Sequence, residues 1–214
     1  MDEDFEALLK ALPAQHPRVY PTPEQIARFR EELPDRLLAY WTEFGWGGFG
    51  NGMFWLVNPD EYSSILGAWC GNSLEYTDVF IIGRTAFGEL IGWKKGYGKF
   101  VEIISLENKI FTFPPDKYVI AGKEDFSLSV FLGSMTVEML DFEDDREKPL
   151  FKRALKKLGA VRPDEIYGFE PALSLGGSAK LESLAIVDLK GHLHFLAELG
   201  ETEIIRIDTS RFPL

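Results

Sequence analysis

Hydrophobic positions at the start of the chain recur with the period of an α-helix. Phe5, Leu8, Leu9 and Leu12 follow the i, i+3, i+4, i+7 spacing, which predicts a helix over residues 2–12. Acidic residues occupy its first turn, where the helix dipole favours negative charge. The chain therefore opens with an amphipathic helix whose apolar face needs a partner.

Two further helices are predicted before residue 45. Thr22-Pro23-Glu24-Gln25 has the composition of a helix start, with an N-cap, a proline at the first helical position and a capping-box glutamine. The apolar face of the helix that follows consists of Ile26, Phe29 and Leu33. Pro34 begins the next helix and Gly45 ends it, and its apolar stripe consists of Leu37, Leu38, Trp41 and Phe44.

The pattern changes after residue 45 to one typical of β-structure. A glycine-rich segment leads into a short apolar strand and then an Asn58-Pro59 break before a predicted helix. From residue 78 to 118 the apolar segments are short, rich in β-branched and aromatic residues, and separated by turn residues: DVFIIG, ELIGW, KFVEIIS and KIFTF. Strands this close in sequence are expected to pair antiparallel.

The last part of the chain mixes both patterns. Residues 124–135 predict a helix with Phe126, Val130 and Phe131 facing inward, and Pro149 begins another helix. The segment 166–177 is predicted to be extended, and LESLAIVDL predicts a strand followed by a Lys190-Gly191 turn. HLHFLAELG (192–200) fits a helix through its leucines but alternates over its first four residues.

These elements predict an α+β fold with a mostly antiparallel mixed sheet flanked by helices. The change in pattern near residue 120 suggests two modules, residues 1–120 and 121–214. Because nothing between them has the composition of a flexible linker, we expect the modules to pack as one body.

Charge narrows the classes of partner. The 214 residues carry a net charge of −11, which repels phosphate backbones and attracts basic proteins.

Other features of the sequence indicate the compartment. The acidic N-terminus lacks the basic region of a secretory signal, and the lone Cys70 cannot form an internal disulfide. No apolar run approaches the length of a membrane span. We therefore expect a cytoplasmic protein that binds neither nucleic acid nor membrane.

The sequence offers little for catalysis or metal binding. His192 and His194 would face one side of a strand, but no third ligand lies at a recognisable spacing. The glycine-rich segment 45–52 lacks the lysine of a phosphate-binding loop and is more typical of a tight turn. The prediction is a protein that is not an enzyme, with no cofactor and no metal. A small-molecule or enzymatic role for the 45–52 turn or the histidine pair stays open as the alternative.

An acidic stretch near residues 138–147 is the candidate for docking a basic partner. The candidate docking residues are Asp141, Phe142, Glu143, Asp144 and Asp145. A solvated loop without a partner is the simpler interpretation of such a run.

Two segments resemble known families. Residues 41–62 resemble the signature of GAD-like domains, with the sequence WTEFGWGGFGNGMFWLVNPDEY. Residues 150–177 are similar to the C-terminal domain of type VI secretion immunity proteins, with the sequence LFKRALKKLGAVRPDEIYGFEPALSLGG. We expect the residues that carry these resemblances to stabilise the fold rather than to form the interface. They are Trp41, Gly45, Trp46, Gly52, Trp55, Asn58, Pro59, Tyr62, Tyr167, Gly168, Phe169, Pro171, Gly176 and Gly177.

The resemblance implies an immunity protein of the bacterial cytoplasm. Such a protein binds a cognate type VI nuclease toxin, here a basic DNase, one-to-one and so protects the producing cell, with no catalytic residues of its own. Inhibition by covering the DNA-binding groove and inhibition from a distance both remain open. A protein-binding scaffold without an immunity role is a further alternative.

Overall fold

The computed structural model describes residues 3–15, 18–71 and 73–208, and within these residues a seven-stranded sheet forms the centre of the molecule. Six strands follow one another across the sheet in chain order, each antiparallel to the next. They are β1 (Gly47–Phe49), β2 (Phe54–Leu56), β3 (Val79–Thr85), β4 (Leu90–Lys94), β5 (Gly98–Ile104) and β6 (Lys109–Thr112). The predicted antiparallel order is confirmed for the four strands between residues 78 and 118.

Four helices precede or interrupt these strands within the described residues: α1 (Glu3–Ala11), α2 (Pro23–Phe29), α3 (Asp35–Phe44) and α4 (Ser63–Cys70). The predicted capping box is present at the start of α2. The Gln25 backbone N–H donates to Thr22 Oγ1 at 3.3 Å, and the Thr22 backbone N–H donates to Gln25 Oε1 at 2.8 Å. These reciprocal bonds satisfy backbone donors that the first helical turn leaves free.

The second half adds helices and a small sheet. Its helices begin with α5 (Lys117–Ile120), α6 (Glu124–Gly133), α7 (Val137–Leu140) and α8 (Phe151–Leu158). A two-stranded antiparallel sheet follows, made of β7 (Glu165–Phe169) and β8 (Leu184–Asp188). The chain then forms α9 (Leu189–Glu198) and β9 (Glu203–Arg206), and β9 lies parallel to β6 at the edge of the large sheet.

One continuous hydrophobic core joins the two halves. The Phe87 ring, which follows β3, lies 5.8 Å from the Phe142 ring and 5.7 Å from the Tyr167 ring, measured between centroids. The Trp69 indole N–H of α4 donates to the Leu193 carbonyl of α9 at 3.1 Å. The α+β fold with its mostly antiparallel mixed sheet is therefore confirmed.

Three local predictions are wrong. The segment 166–177 was expected to be extended throughout, but the strand ends at Phe169 and Leu173–Leu175 forms a 3-10 turn. Phe126 and Val130 of α6 were expected to face inward, but they are 43% and 37% exposed, while Ser127 and Ser129 are buried. The Lys190-Gly191 turn is instead the first turn of α9, because Asp188 Oδ1 accepts the Gly191 backbone N–H at 2.7 Å and caps the helix. In α6 and at the start of α9, a polar side chain hydrogen-bonds to a tertiary or capping partner, which hydrophobic periodicity cannot predict.

Candidate functional site

The residues that carry the first resemblance lie inside the fold. Trp41, Trp46, Trp55 and Tyr62 are all buried. The Trp55 indole N–H donates to the carbonyl of Gly52 at 2.8 Å, which ties the glycine turn to the strand after it.

Two other positions of that segment are fixed by the backbone. Gly45 ends α3 with a φ of +67°, and a Cβ there would lie 2.7 Å from the Val19 carbonyl oxygen. Asn58 caps the short 3-10 turn Pro59–Glu61 by accepting the Asp60 backbone N–H at 3.2 Å. Gly45 therefore allows the Val19 backbone to approach closely, and Asn58 stabilises the turn that follows β2.

The residues of the second resemblance surround β7. Tyr167 and Phe169 are buried, and the Tyr167 hydroxyl donates to the Gly159 carbonyl at 2.5 Å. Gly168 leaves room for His192, and a Cβ on Gly177 would lie only 1.9 Å from the Pro171 carbonyl oxygen. A side chain is therefore excluded by the neighbouring backbone at Gly177 and by the His192 and Val187 side chains at Gly168.

Asp141, the first candidate docking residue, holds the backbone of its own segment. Its Oδ1 accepts the backbone N–H groups of Phe142 at 2.8 Å, Leu150 at 3.0 Å and Phe151 at 2.7 Å. Burial raises the pKa of this carboxyl, and the three backbone donors act in the opposite direction. Asp141 therefore secures the start of α8.

Phe142 and Asp144 are also engaged within the protein. The Phe142 ring packs between the rings of Phe87 and Phe169, at 5.8 Å and 5.7 Å between centroids. The Asp144 carboxylate pairs with Arg153 at 2.7 Å, and only 7% of its side chain is exposed. Neither side chain is presented to a partner in this structure.

Glu143 and Asp145 are the exposed members of the candidate set. Asp145 lies 3.5 Å from the Lys180 ammonium, measured between Oδ2 and Nζ. The run Asp141–Asp145 therefore presents less free negative charge than its sequence indicates.

A groove of about 510 Å³ opens in the second half of the molecule, between the end of β7 and α9. Two large apolar side chains stand exposed at this groove, Leu175 at 56% and Phe195 at 45%. Glu170 and Asp188 add carboxylates to its lining. An exposed apolar pair beside acidic groups is suited to a basic protein surface that carries an apolar anchor.

The two histidines do not form a shared site. The His194 Nδ1 atom lies 3.0 Å from the Lys190 carbonyl on the exposed side of α9, whereas His192 Nε2 is buried without a hydrogen-bond partner. Burial lowers the pKa of His192, and Glu170 opposes that shift. Within residues 3–15, 18–71 and 73–208, no three His, Cys, Asp or Glu side chains are grouped as a metal site requires; His16 lies outside these ranges.

Sequence reasoning missed the groove because the assignment of 192–200 was left open. Once α9 is a helix, Leu189, Leu193 and Leu196 define its buried face, and Phe195 falls outside that face. The sequence signal for the groove is therefore Phe195, a large aromatic residue that lies off the apolar stripe of an amphipathic helix. Leu175 gave no such signal, since it lies in a short 3-10 turn, Leu173–Leu175.

The chain is similar to known proteins over most of its length. Residues 3–107 match the model of the GAD-like domain, and residues 125–200 match the model of the C-terminal domain of the T6SS immunity protein Tdi1. A search of curated proteins gave no match. The crystal structure of Atu4351 from Agrobacterium tumefaciens superposes with a TM-score of 0.87 at 25% sequence identity, covering 98% of this chain and 95% of that one.

Fold and family together define a class: an α+β protein that combines a GAD-like domain with a second, C-terminal domain. Residues 125–200, which form most of the second half, are similar to the C-terminal domain of the T6SS immunity protein Tdi1. Among the residues that the structure describes, no helix has the length and apolar character needed to cross a bilayer.

Proposed function

We propose that this protein neutralises a cognate type VI nuclease toxin by binding it one-to-one in the cytoplasm of the producing cell. The observation that carries the proposal is the match of residues 125–200 to the Tdi1 immunity domain. Inhibition then comes from occupying a surface of the toxin, without turnover of any substrate.

The groove beside α9 is the proposed contact surface. All the residues that line it fall within the matched range 125–200, and its exposed Leu175 and Phe195 side chains supply apolar area that a partner would bury. Buried anchors of this kind dominate the free energy of protein–protein binding, while surrounding charges mainly set association rate and specificity.

Negative charge makes a nuclease a suitable partner. A DNase holds DNA in a basic groove, and a chain with a net charge of −11 is attracted to such a surface. Glu170 and Asp188 lie at the apolar pair, and Glu143 and Asp145 offer a second acidic contact. The proposed complex covers the DNA-binding groove of the toxin and excludes DNA both sterically and electrostatically.

The test is a set of paired serine substitutions in the full chain. Leu175→Ser with Phe195→Ser should weaken binding of the toxin encoded by the neighbouring gene by at least about 100-fold, because two anchors are lost. Ile120→Ser with Leu74→Ser is the matched control, since these side chains are 72% and 88% exposed but lie outside the groove. Calorimetry measures the affinity, and survival of cells expressing the toxin measures protection.

Each result bears on a separate part of the proposal. A one-to-one complex that only the groove variant disrupts supports both function and surface. Equal losses in the groove and control variants would reject the groove. A wild-type chain that neither binds the neighbouring toxin nor protects cells would reject the immunity role and favour a scaffold.

A further inference from the structure

A second, smaller cavity of about 120 Å³ lies in the GAD-like domain. Its walls come from β1 and β2, from the turn that follows β2, and from Pro163 of the second half. The cavity is lined by two arginines, Arg18 and Arg84, and by the aromatic side chains of Trp46, Trp55 and Tyr62.

Arg84 is a fully buried cation without a counter-ion. Its Nη atoms donate to backbone carbonyls, to Thr85 at 3.2 Å, to Arg162 at 3.3 Å and to Pro163 at 3.0 Å. Its Nε–H has no hydrogen-bond partner, and no carboxylate of the described residues forms an ion pair with it. A buried charge in this state is costly, and an arginine cannot relieve the cost by losing its proton.

Stacking on Trp55 offsets only part of the cost of burying the Arg84 charge. The guanidinium lies 4.5 Å from the centroid of the Trp55 ring, an arrangement that stabilises a cation through the negative face of the aromatic system. The Tyr62 hydroxyl oxygen accepts a side-chain hydrogen bond from Arg84, but it is a neutral group. Asp164 acts on Arg84 from a distance, and its side chain is 71% exposed and lies beside Arg162. The site keeps an unbalanced positive charge next to empty volume.

Arg18 adds a second cation to the same cavity. It donates to the carbonyl of Phe44, to that of Gln15 at 2.8 Å and to that of Gly48 at 3.1 Å. Its guanidinium lies over the Phe49 ring. Gly47 makes room for it, since a Cβ there would lie 2.8 Å from Arg18 Cγ. None of the carboxylates that the structure describes pairs with Arg18.

Neutral donors complete the lining. The Trp46 indole N–H is buried and has no partner. Burial raises the pKa of Tyr62, so its hydroxyl keeps its proton, and the nearby Arg84 acts against that rise. Glu61 is the acidic group of the lining, and it is exposed to solvent.

We propose that this cavity binds a small oxyanion, the carboxylate or phosphate group of a small molecule. Arg84 supplies the main charge, the Trp46 indole N–H and the Tyr62 hydroxyl supply hydrogen-bond donors, and Arg18 adds positive potential. A water molecule occupies roughly 30 Å³ of liquid, so a cavity of about 120 Å³ accommodates a carboxylate or phosphate group.

The site also joins the two halves of the molecule. Arg84 belongs to β3, whereas its carbonyl partners at Arg162 and Pro163 belong to the loop before β7. An anion that pairs with Arg84 therefore stabilises a contact between the domains. The proposal does not depend on toxin binding, and its test uses the chain alone.

Titration with inorganic phosphate or acetate, followed through the indole N–H signals of the five tryptophans, tests the site directly. We expect saturable shifts of the Trp46 signal, and of the Trp55 signal beside Arg84. The Trp69 signal is the internal control, because its N–H is already bonded to Leu193. Sodium chloride at matched ionic strength should leave all five signals in place.

Two conservative variants separate binding from folding. Trp46→Phe removes one donor and should weaken anion binding about tenfold, while Glu61→Gln removes a negative charge and should strengthen it severalfold. Glu43→Gln, at an exposed acid outside the cavity, should change nothing. Absence of saturable shifts with both anions, equal shifts with chloride, or unchanged affinity in both Trp46→Phe and Glu61→Gln would overturn the proposal.

Discussion

Acidic residues with similar sequence surroundings have very different environments in this protein. Asp141 accepts three backbone N–H groups, while Asp145, four residues later, stands at the surface beside Lys180. A third acid, Glu89, is partly buried in the turn between β3 and β4. Negative charge at a residue of this chain therefore indicates a docking contact only after its partners are known.

Burial and, to a smaller extent, the carboxylates of Glu102 and Glu107 raise the pKa of Glu89 to about 8, against the opposite effects of Thr85 and Lys99. The folded protein then keeps this proton in a pH range where the unfolded chain, with a carboxyl pKa of 4.5, has lost it. Because the folded state binds more protons, the free energy of unfolding falls as the pH rises from about 4.5 to about 8.

Glu89→Gln should remove this dependence. Relative to wild type, we expect the variant to be more stable by roughly 1–3 kcal/mol at pH 8.5 and nearly equal at pH 4.5, as measured by urea unfolding at both pH values. Glu182→Gln, at an exposed position, is the control and should show no such difference. A wild-type stability that is flat or rises over this range, unchanged by Glu89→Gln, would contradict the prediction.

At the scale of elements, α8 depends on a residue ten positions before it. Asp141 Oδ1 accepts the N–H of Leu150 and of Phe151, where the helix begins, and it also fixes Phe142. The segment between them is further closed by a bond from the Leu150 N–H to the Phe142 carbonyl at 2.8 Å. This acidic segment is a structural loop with an exposed outer edge.

Asp141→Ala should destabilise the protein by about 2–3 kcal/mol, because three half-buried backbone donors lose a charged acceptor. Asp145→Ala is the matched control in the same loop and should change the free energy of unfolding by less than about 0.5 kcal/mol. Urea unfolding at neutral pH measures both. Similar effects for the two variants would argue against the capping role of Asp141.

Elements were predicted well where their own residues determine them. The capping box of α2 and the strands between residues 78 and 118 depend on local composition and alternation. The orientation of α6 was not predictable in this way, because Ser129 is buried to receive the Arg36 guanidinium, whose Nη1 donates to it at 2.8 Å. Such a pairing joins residues far apart in sequence.

At the scale of the whole molecule, β9 joins the end of the described chain to β6 in the large sheet. It lies parallel to β6, and Arg206 pairs with Glu75 through both oxygens at 2.5 and 2.9 Å. The match to the C-terminal domain of Tdi1 ends at residue 200, before β9 begins. The large sheet is therefore completed by residues outside both matched regions.

Truncation after Gly200 should lower the stability by about 2–4 kcal/mol, since the ladder bonds to β6 are lost and an edge is exposed. Arg206→Ala keeps the strand and removes only a solvent-exposed ion pair, so it should destabilise the protein much less than the truncation does. Thermal and urea unfolding measure both. If the truncated chain is as stable as Arg206→Ala, the parallel pairing contributes little.

The division at residue 120 remains a prediction at this scale. The two family matches end at 107 and begin at 125, which agrees with a boundary between them. Yet the core is continuous, and α6 packs against α1 so closely that a Cβ on Gly133 would lie 2.8 Å from the Asp4 Cβ.

The sequence by itself determined the local elements, the α+β class and the family resemblance, because capping, alternation and glycine-aromatic motifs act over a few residues. Only the tertiary structure decided which acids are free and that Leu175 and Phe195 share one groove. It alone placed Arg84 without a counter-ion in a cavity lined by Arg18, Trp46 and Tyr62. Side chains distant in sequence create these sites, and their burial depends on neighbours that local spacing cannot specify.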